Sequence, residues 1–259
     1  MALGKLARRL REHDWFAALL ELLIVIAGIL IALQVSNWNQ DRQDRALARQ
    51  YAQRLHRELQ SDIANIALTR VFWKRVADYQ SVASDHAETG KLADGSPWKT
   101  VLAYYQASQL RPFELEDTTF LELRDAGELR LLDDGVLSKG LADYYRSTGQ
   151  GMIGEILRHN PQYRLQVRGI TPYAVQQYVW THCWRQRAGA DQELIDCPSP
   201  IPDAEATALL ATYRANAELL QNLRFWRTQL EVSRLIANNV EAQGRALDAR
   251  VVALLQRGH

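Results

Sequence analysis

A nearly uninterrupted apolar segment, Trp15 to Trp38, constrains this chain more than any other feature of its sequence. It reads WFAALLELLIVIAGILIALQVSNW, and from Trp15 to Val35 its only ionisable residue is Glu21. About 20 apolar residues, at a rise of ~1.5 Å each, are long enough to cross a hydrocarbon core of ~30 Å. The two tryptophans stand where aromatic anchors lie at membrane interfaces. We therefore expect residues 15–38 to form a transmembrane helix in a lipid bilayer.

A cleaved signal peptide is the main alternative for an apolar segment so close to the N-terminus. Its apolar core would be shorter, and a cleavage site would follow it. The sequence Gln34-Val35-Ser36-Asn37-Trp38 is a poor cleavage context. The segment is therefore interpreted as an uncleaved signal anchor.

The flanking charges predict which end of the segment lies in the cytoplasm. Residues 1–14, the expected cytoplasmic tail, carry four basic residues against two acidic ones. Such a basic excess favours a cytoplasmic N-terminus. The other flank is also basic, but it leads into about 220 residues, and long domains are translocated largely regardless of charge. We therefore expect an anchor in a bacterial inner membrane, with most of the chain in the periplasm.

The composition of the whole chain argues against some classes of partner. Hydrophobic residues make up 47%, and 31 Lys and Arg balance 30 Asp and Glu for a formal net charge of +1. This balance gives no case for a nucleic-acid partner. The sequence contains no G-x-S-x-G, P-loop or H-E-x-x-H motif. We expect neither enzymatic activity nor a cofactor or metal.

Helical periodicity continues beyond the apolar segment. Apolar residues recur at intervals of three and four from Leu47 to Val76, which is the pattern of one stripe on a helix. A stalk helix over residues 39–88, continuous with the membrane helix, is therefore predicted. Residues 203–259 form a second long helical stretch, and the similar lengths predict that it packs antiparallel to the stalk.

Residues 89–202, between the two long helices, are predicted to form a small distal helical domain. Ser96 predicts the N-cap of one short helix and Asp117 the N-cap of another, and residues 133–149 form a third. Thr171-Pro172 opens a fourth helix, which is predicted to run through Tyr178, Trp180 and Trp184. No stretch shows sustained alternation with a period of two, so we expect no real sheet. The predicted fold class is all-α.

Two further patterns are interpreted as structural. Residues 149–154, GQGMIG, match the spacing of a dinucleotide-binding loop but lack both the preceding strand and the acid about 20 residues on. They are therefore interpreted as a turn. The acidic residues of FELEDTTFLEL, residues 113–123, would suit acid–base chemistry, but acids at a helix start are favoured by the helix dipole. Capping is the interpretation that we adopt.

Cys183 and Cys197 enclose a loop whose end, residues 198–202, holds three of the seven prolines. An oxidising periplasm permits a disulfide between them. A metal site with His182 is the alternative, but no fourth ligand has a recognised spacing. Aromatic residues at helical spacing more often fill a core, yet those beside the loop are candidates for a ligand cleft. The cleft residues are Tyr178, Trp180, His182 and Trp184.

Glu21 lies on a stripe of the membrane helix that also carries small residues. Residues four, seven and eleven positions along a helix fall within about 40° of the first. A lone carboxylate facing lipid costs on the order of 2.5–3.5 kcal/mol at mid-membrane. Glu21 therefore reaches the interface or stays protonated, hydrogen-bonds within an oligomer or to a partner helix, or lines an ion path. The predicted intramembrane contact consists of Ala17, Glu21, Val25, Gly28 and Ala32.

The small residues favour assembly among these three interpretations. Gly28 and Ala32 form a small-x-x-x-small pair, which lets two helix backbones approach closely.

Several motifs together resemble an uncharacterised family of bacterial single-pass membrane proteins. The family pattern is a Glu, an apolar run with Gly-Ile-Leu-Ile-Ala-Leu-Gln and an Asn-Trp-Asn exit. A Thr-led helix, a Gly-x-Leu turn and a Tyr-Tyr pair follow. The matching positions are Glu21, Gly28, Ala32, Gln34, Asn37, Trp38, Asn39, Thr118, Gly127, Leu129, Tyr144 and Tyr145. The match covers roughly residues 15–150, and it implies a topology but no activity.

The leading hypothesis is a non-enzymatic membrane-anchored scaffold. Its partners would be further copies of itself or another membrane protein, in a complex of the cell envelope. A periplasmic sensor or ligand-binding module, with its site at the stapled loop, is the first alternative. An ion- or proton-conducting oligomer that uses Glu21 is the second.

Overall fold

One α-helix, α1 (Leu3–Thr89), contains both the predicted membrane segment and the predicted stalk. Residues 29–89 include neither glycine nor proline, so no residue interrupts the backbone hydrogen bonding of the helix. The helix ends where Gly90 adopts a positive φ of 78° and donates its N–H to the carbonyl of His86 at 2.8 Å. The predicted continuous helix is confirmed.

The computed structural model describes residues 3–111, 114–132, 134–149, 160–186 and 191–257. Side chains are described in these ranges except at residues 3–14, 16–18, 147–149 and 257. Within these ranges the fold is all-α, as predicted, with eight α-helices, one 3-10 helix and two short strands.

The C-terminal helix α8 (Ala217–Arg257) packs antiparallel to α1. His56 contacts Asp248 at 2.6 Å, and Arg70, further along α1, contacts Glu241, earlier on α8, at 2.6 Å. The numbers rise on one helix as they fall on the other, which confirms the predicted antiparallel pair.

The prediction of one unbroken helix from residue 203 onward is wrong. The chain forms α7 (Asp203–Ala215) and then α8, with Asn216 between them in an extended conformation. The Oδ1 atom of Asn216 accepts the backbone N–H of Leu219 at 2.9 Å, so Asn216 is the N-cap of α8. Helix α7 packs against α2 (Pro97–Gln106).

Most of the short helices between the two long ones begin where the sequence predicts. Ser96 caps α2, because its Oγ atom accepts the backbone N–H of Lys99 at 3.2 Å. The carboxylate of Asp134 caps α4 by accepting the N–H groups of Val136 and Leu137 at 2.9 Å. The remaining elements are α3 (Thr118–Asp125), the 3-10 helix (Leu129–Leu132), α4 (Gly135–Gly149), α5 (Gln162–Ile170) and α6 (Tyr173–His182).

Capping of α3 by Asp117 is not observed. Asp117 occupies the N-cap position but makes no side-chain hydrogen bond there. Instead, Glu58 on α1 accepts the N–H of Thr119 at 3.2 Å and its hydroxyl at 2.5 Å. The neighbouring Asp62 accepts the N–H of Glu116 at 2.9 Å. Two carboxylates of the long helix therefore supply the acceptors that the start of α3 needs.

The structure contains a small two-stranded ribbon, although no sheet was predicted. Strands β1 (Trp184–Gln186) and β2 (Gln192–Leu194) pair antiparallel, with Arg185 opposite Glu193. Since α6 ends at His182, Trp184 lies on a strand, not on the helix predicted to include it.

The core lies between α1 and the helices packed along it. Its largest apolar and aromatic side chains are almost completely buried and come from α1, α2, α3, α4, α5 and α7. They are Leu55, Leu59, Ile66, Trp73, Leu102, Tyr104, Tyr105, Leu123, Tyr144, Tyr163 and Tyr213.

Candidate functional site

The first candidate site is the apolar segment of α1. By length and composition this helix is able to cross a membrane, and its most apolar 18-residue window has a mean hydropathy of 2.5 with none of it buried. Every residue from 19 to 43 is exposed, and Trp15 and Trp38 are 70% and 59% exposed. Apolar surface of this extent is unusual on a protein that meets only water, and it is compatible with a membrane anchor.

The predicted intramembrane contact lies on this exposed surface. Glu21, Val25, Gly28 and Ala32 are all exposed, while the side chain of Ala17 lies outside the described residues. A methyl group added at Gly28 would meet no atom within 4 Å. The stripe is therefore available to another chain.

The second candidate site is the aromatic group beside the stapled loop. The structure arranges the four predicted residues in two pairs. Tyr178 stacks on His182 with ring centroids 4.2 Å apart, and Trp180 meets Trp184 edge to face at 5.6 Å. Residues two positions apart point in nearly opposite directions from a helix, so Tyr178 and Trp180 belong to different faces of α6.

The two pairs have different neighbours. Tyr178 contacts the ring of Trp98 on α2 edge to face, at 6.2 Å between centroids. Trp180 lies 5.4 Å from the guanidinium of Arg168 on α5. The four residues are therefore not brought together into a single cleft.

Cys183 and Cys197 form the predicted disulfide, with Cα atoms 5.2 Å apart. Hydrogen bonds tie both ends of the bridge to α2. Gln106 donates to the carbonyl of Cys183 at 2.8 Å, and the indole of Trp98 donates to the carbonyl of Cys197 at 2.9 Å. Closing a loop between cysteines that are 14 positions apart contributes about 3 kcal/mol in the chain-entropy account.

The disulfide also bears on metal binding. Both sulfur atoms are bonded to each other, so neither is available as a thiolate ligand. Within the described part of the chain, no group of three or more His, Cys, Asp or Glu residues has a metal-binding arrangement. Of the GQGMIG motif, residues 150–154 lie outside the described residues.

Sequence reasoning missed a groove that is lined by α1, by the segment between α1 and α2, by α2 and by Asp196 of the stapled loop. The groove has a volume of about 310 Å³ and mixes acidic and basic side chains. Asp196 accepts hydrogen bonds there from the hydroxyl of Tyr79 at 2.7 Å and from Arg75 at 3.1 Å. Burial raises the pKa of Tyr79, so its hydroxyl stays protonated and remains a donor. Tyr79 lies on the apolar stripe of α1, but nothing in the sequence links it to Asp196.

Sequence reasoning also missed two buried acidic residues of α1. Glu58 and Asp62 are 8% and 2% exposed. Burial raises the pKa of both, and that of Asp62 to about 7, although the N–H of Glu116 opposes the rise. Asp62 stands seven residues after the buried Leu55 and next to Ile63. An acidic residue at a position of the stripe that is otherwise apolar is the sequence signal that could have identified this buried carboxylate.

Comparison of the chain with protein-family profiles, with curated proteins and with solved structures found no match.

Proposed function

We propose that this chain is a membrane-anchored helical protein that acts as an oligomeric scaffold or as the accessory subunit of an envelope complex. The exposed apolar segment of α1 carries the proposal. A helix that is apolar on all sides over the thickness of a bilayer finds its favourable surroundings in lipid. The basic N-terminal flank supports an N-terminus in the bacterial cytoplasm and a helical body in the periplasm.

Assembly through the membrane segment is the second part of the proposal. Glu21 has no ion-pair or hydrogen-bond partner among the described residues, and the cost of a carboxylate in lipid falls when a second helix supplies a donor. Gly28 and Ala32, on the same stripe, let that helix approach closely enough to do so. The contact would be made by a second copy or by a helix of another membrane protein.

Native mass spectrometry of the full-length protein, extracted in mild detergent from its own membrane, tests the proposal. We expect a single homo-oligomer or a stable complex with one further polypeptide. Glu21→Leu and Gly28→Ile are expected to shift the mass toward the monomer, because one removes the hydrogen-bonding group and the other fills the point of closest approach. The far-ultraviolet circular dichroism of the body should not change.

Ala27→Ile is the matched control, since it introduces the same side chain at a position about 120° away from Glu21 on the helix. Equal effects of Ala27→Ile and Gly28→Ile would contradict the assigned stripe. A monomeric wild type would contradict assembly altogether. Glu21→Gln distinguishes the ion-path alternative, in which this variant keeps the oligomer and loses only conductance.

A further inference from the structure

Two arginines of α5 converge on the residues that follow α2. Arg164 donates from Nη1 to the carbonyl of Ser108 at 2.7 Å. Arg168, one turn later, donates from Nε to the Ser108 hydroxyl at 3.2 Å and from Nη2 to Oε1 of Gln109 at 2.9 Å. Because both guanidinium groups reach one serine, two positive charges lie close together.

Two aromatic rings hold the second of these guanidinium groups. The Cζ atom of Arg168 is 4.9 Å from the ring centre of Tyr105 and 5.4 Å from that of Trp180. Tyr105 is fully buried, whereas Trp180 is 38% exposed. The cation–π contacts fix the orientation of Arg168, and the site opens to water at Trp180.

The pair lacks a compensating negative charge within the described residues. The hydrogen bonds of Arg164 and Arg168 run to a carbonyl, a hydroxyl and an amide oxygen, and no carboxylate of the described residues lies within ion-pair distance of either. Arg70 and Arg245, by contrast, share the carboxylate of Glu241. Burial and the neighbouring Arg168 lower the pKa of Arg164 to about 10. Both side chains are therefore charged at neutral pH, but burial and their mutual repulsion disfavour the charged forms.

Unused donors remain on both groups. A guanidinium has five N–H donors, and these hydrogen bonds use one on Arg164 and two on Arg168. A planar fork of N–H groups matches the oxygen pairs of phosphate and carboxylate groups. An anion bound here would satisfy the donors and relieve the repulsion between the two cations.

We propose that Arg164 and Arg168 bind a small soluble oxyanion, through a phosphate or carboxylate group. Arg111, two residues beyond Gln109, donates to Oδ1 of Asn65 on α1 at 2.9 Å, which places the site near that level of the helix. Asn65 is 27 residues beyond Trp38, or about 40 Å along the helix axis. With α1 in a membrane, lipid headgroups are out of reach, so the ligand comes from solution.

Isothermal titration of inorganic phosphate, and separately of citrate, into the full-length protein tests the proposal. The protein is held in an uncharged detergent at constant ionic strength, with chloride as the balancing anion. We expect one saturable site per chain for at least one probe. Arg164→Gln and Arg168→Gln should each weaken binding by about tenfold or more, since charge-assisted hydrogen bonds are lost.

Arg227→Gln is the matched control, because it removes the same charge from an exposed position on α8 and should leave the affinity unchanged. Thermal melts monitor folding, and if either Gln variant unfolds, the wild-type titration and the other variant still decide. Absence of saturable binding of both probes to the wild type would overturn the proposal. So would equal weakening in all three variants, or binding only to vesicles of anionic lipid. The site is independent of the proposed assembly, which mass spectrometry tests separately.

Discussion

Asp62 shows how one buried side chain makes stability depend on pH. Its Oδ1 atom accepts the N–H of Glu116, while Oδ2 has no hydrogen-bond partner among the described residues. Burial raises its pKa to about 7 in the folded protein, against about 4 in an unfolded chain. The folded state therefore holds a proton that the unfolded state has released, and the free energy of unfolding falls as the pH rises through this interval.

Asp62→Asn should remove this dependence. The amide oxygen keeps the bond from Glu116, and no charge has to be buried. We expect the variant's advantage over the wild type to grow by on the order of 2 kcal/mol between pH 5 and pH 8, as measured by thermal unfolding in detergent. Asp85→Asn, at an exposed position of the same helix, is the control. Parallel pH profiles for Asp62→Asn and the wild type would contradict the assignment.

At the scale of the elements, glycines set how closely α8 approaches its neighbours. A methyl group added at Gly244 on α8 would lie 3.0 Å from the hydroxyl of Tyr144 on α4 and 3.3 Å from Cγ1 of Ile63 on α1. A methyl group at Gly140 on α4 would lie 2.7 Å from Leu247 of α8. The two contacts join three helices at one level, where larger side chains would hold them apart.

Gly244→Leu is therefore expected to lower the free energy of unfolding by about 1–3 kcal/mol, the range for overpacking a well-packed core. Its matched control is Gly169→Leu on α5, where a methyl group would meet no atom within 4 Å. Thermal unfolding of both variants gives the comparison. A Gly244→Leu variant as stable as Gly169→Leu would show that α8 moves away from α1 and α4 with no loss of unfolding free energy.

The elements also show what sequence reasoning is able to find. Long apolar stripes and the absence of glycine and proline predicted α1 and its antiparallel partner, because these signals are local. The break at Asn216 was not predicted, because it depends on one side chain that caps the next helix. The ribbon was not predicted, because strands of three residues are too short to show alternation of apolar and polar residues. Arg164 and Arg168 have the spacing of ordinary surface charges, and their neighbours Ser108 and Trp180 come from distant parts of the sequence.

At the scale of the whole molecule, α1 joins the exposed apolar segment rigidly to the helical body. Described residues between 89 and 202 pack along the second half of α1, through Arg54–Glu122 at 2.5 Å as well as Asn65–Arg111 at 2.9 Å. A continuous helix turns by about 100° per residue. In the proposed assembly, the apolar segment therefore sets the direction in which the body faces.

Insertions after Gln40 test this rigid coupling. One added alanine should turn the body by about 100° relative to the membrane segment, whereas seven added residues turn it by only about 20°. A spin label at Val71→Cys, which is 70% exposed on α1, reports distances between subunits of the proposed oligomer. We expect the single insertion to change these distances far more than the seven-residue insertion. Equal changes would mean that α1 bends between the apolar segment and the body.

The ion pair between Arg130 and Asp44, at 2.8 Å, marks how close the helical body comes to the apolar segment of α1. Asp44 is six residues beyond Trp38, which corresponds to about 9 Å of helix. With Trp38 at the interface, this distance is close to the Debye length of about 8 Å at physiological ionic strength. The lower edge of the body then lies within the surface potential of an anionic leaflet, and the lipid composition becomes one of the forces that act on the folded protein.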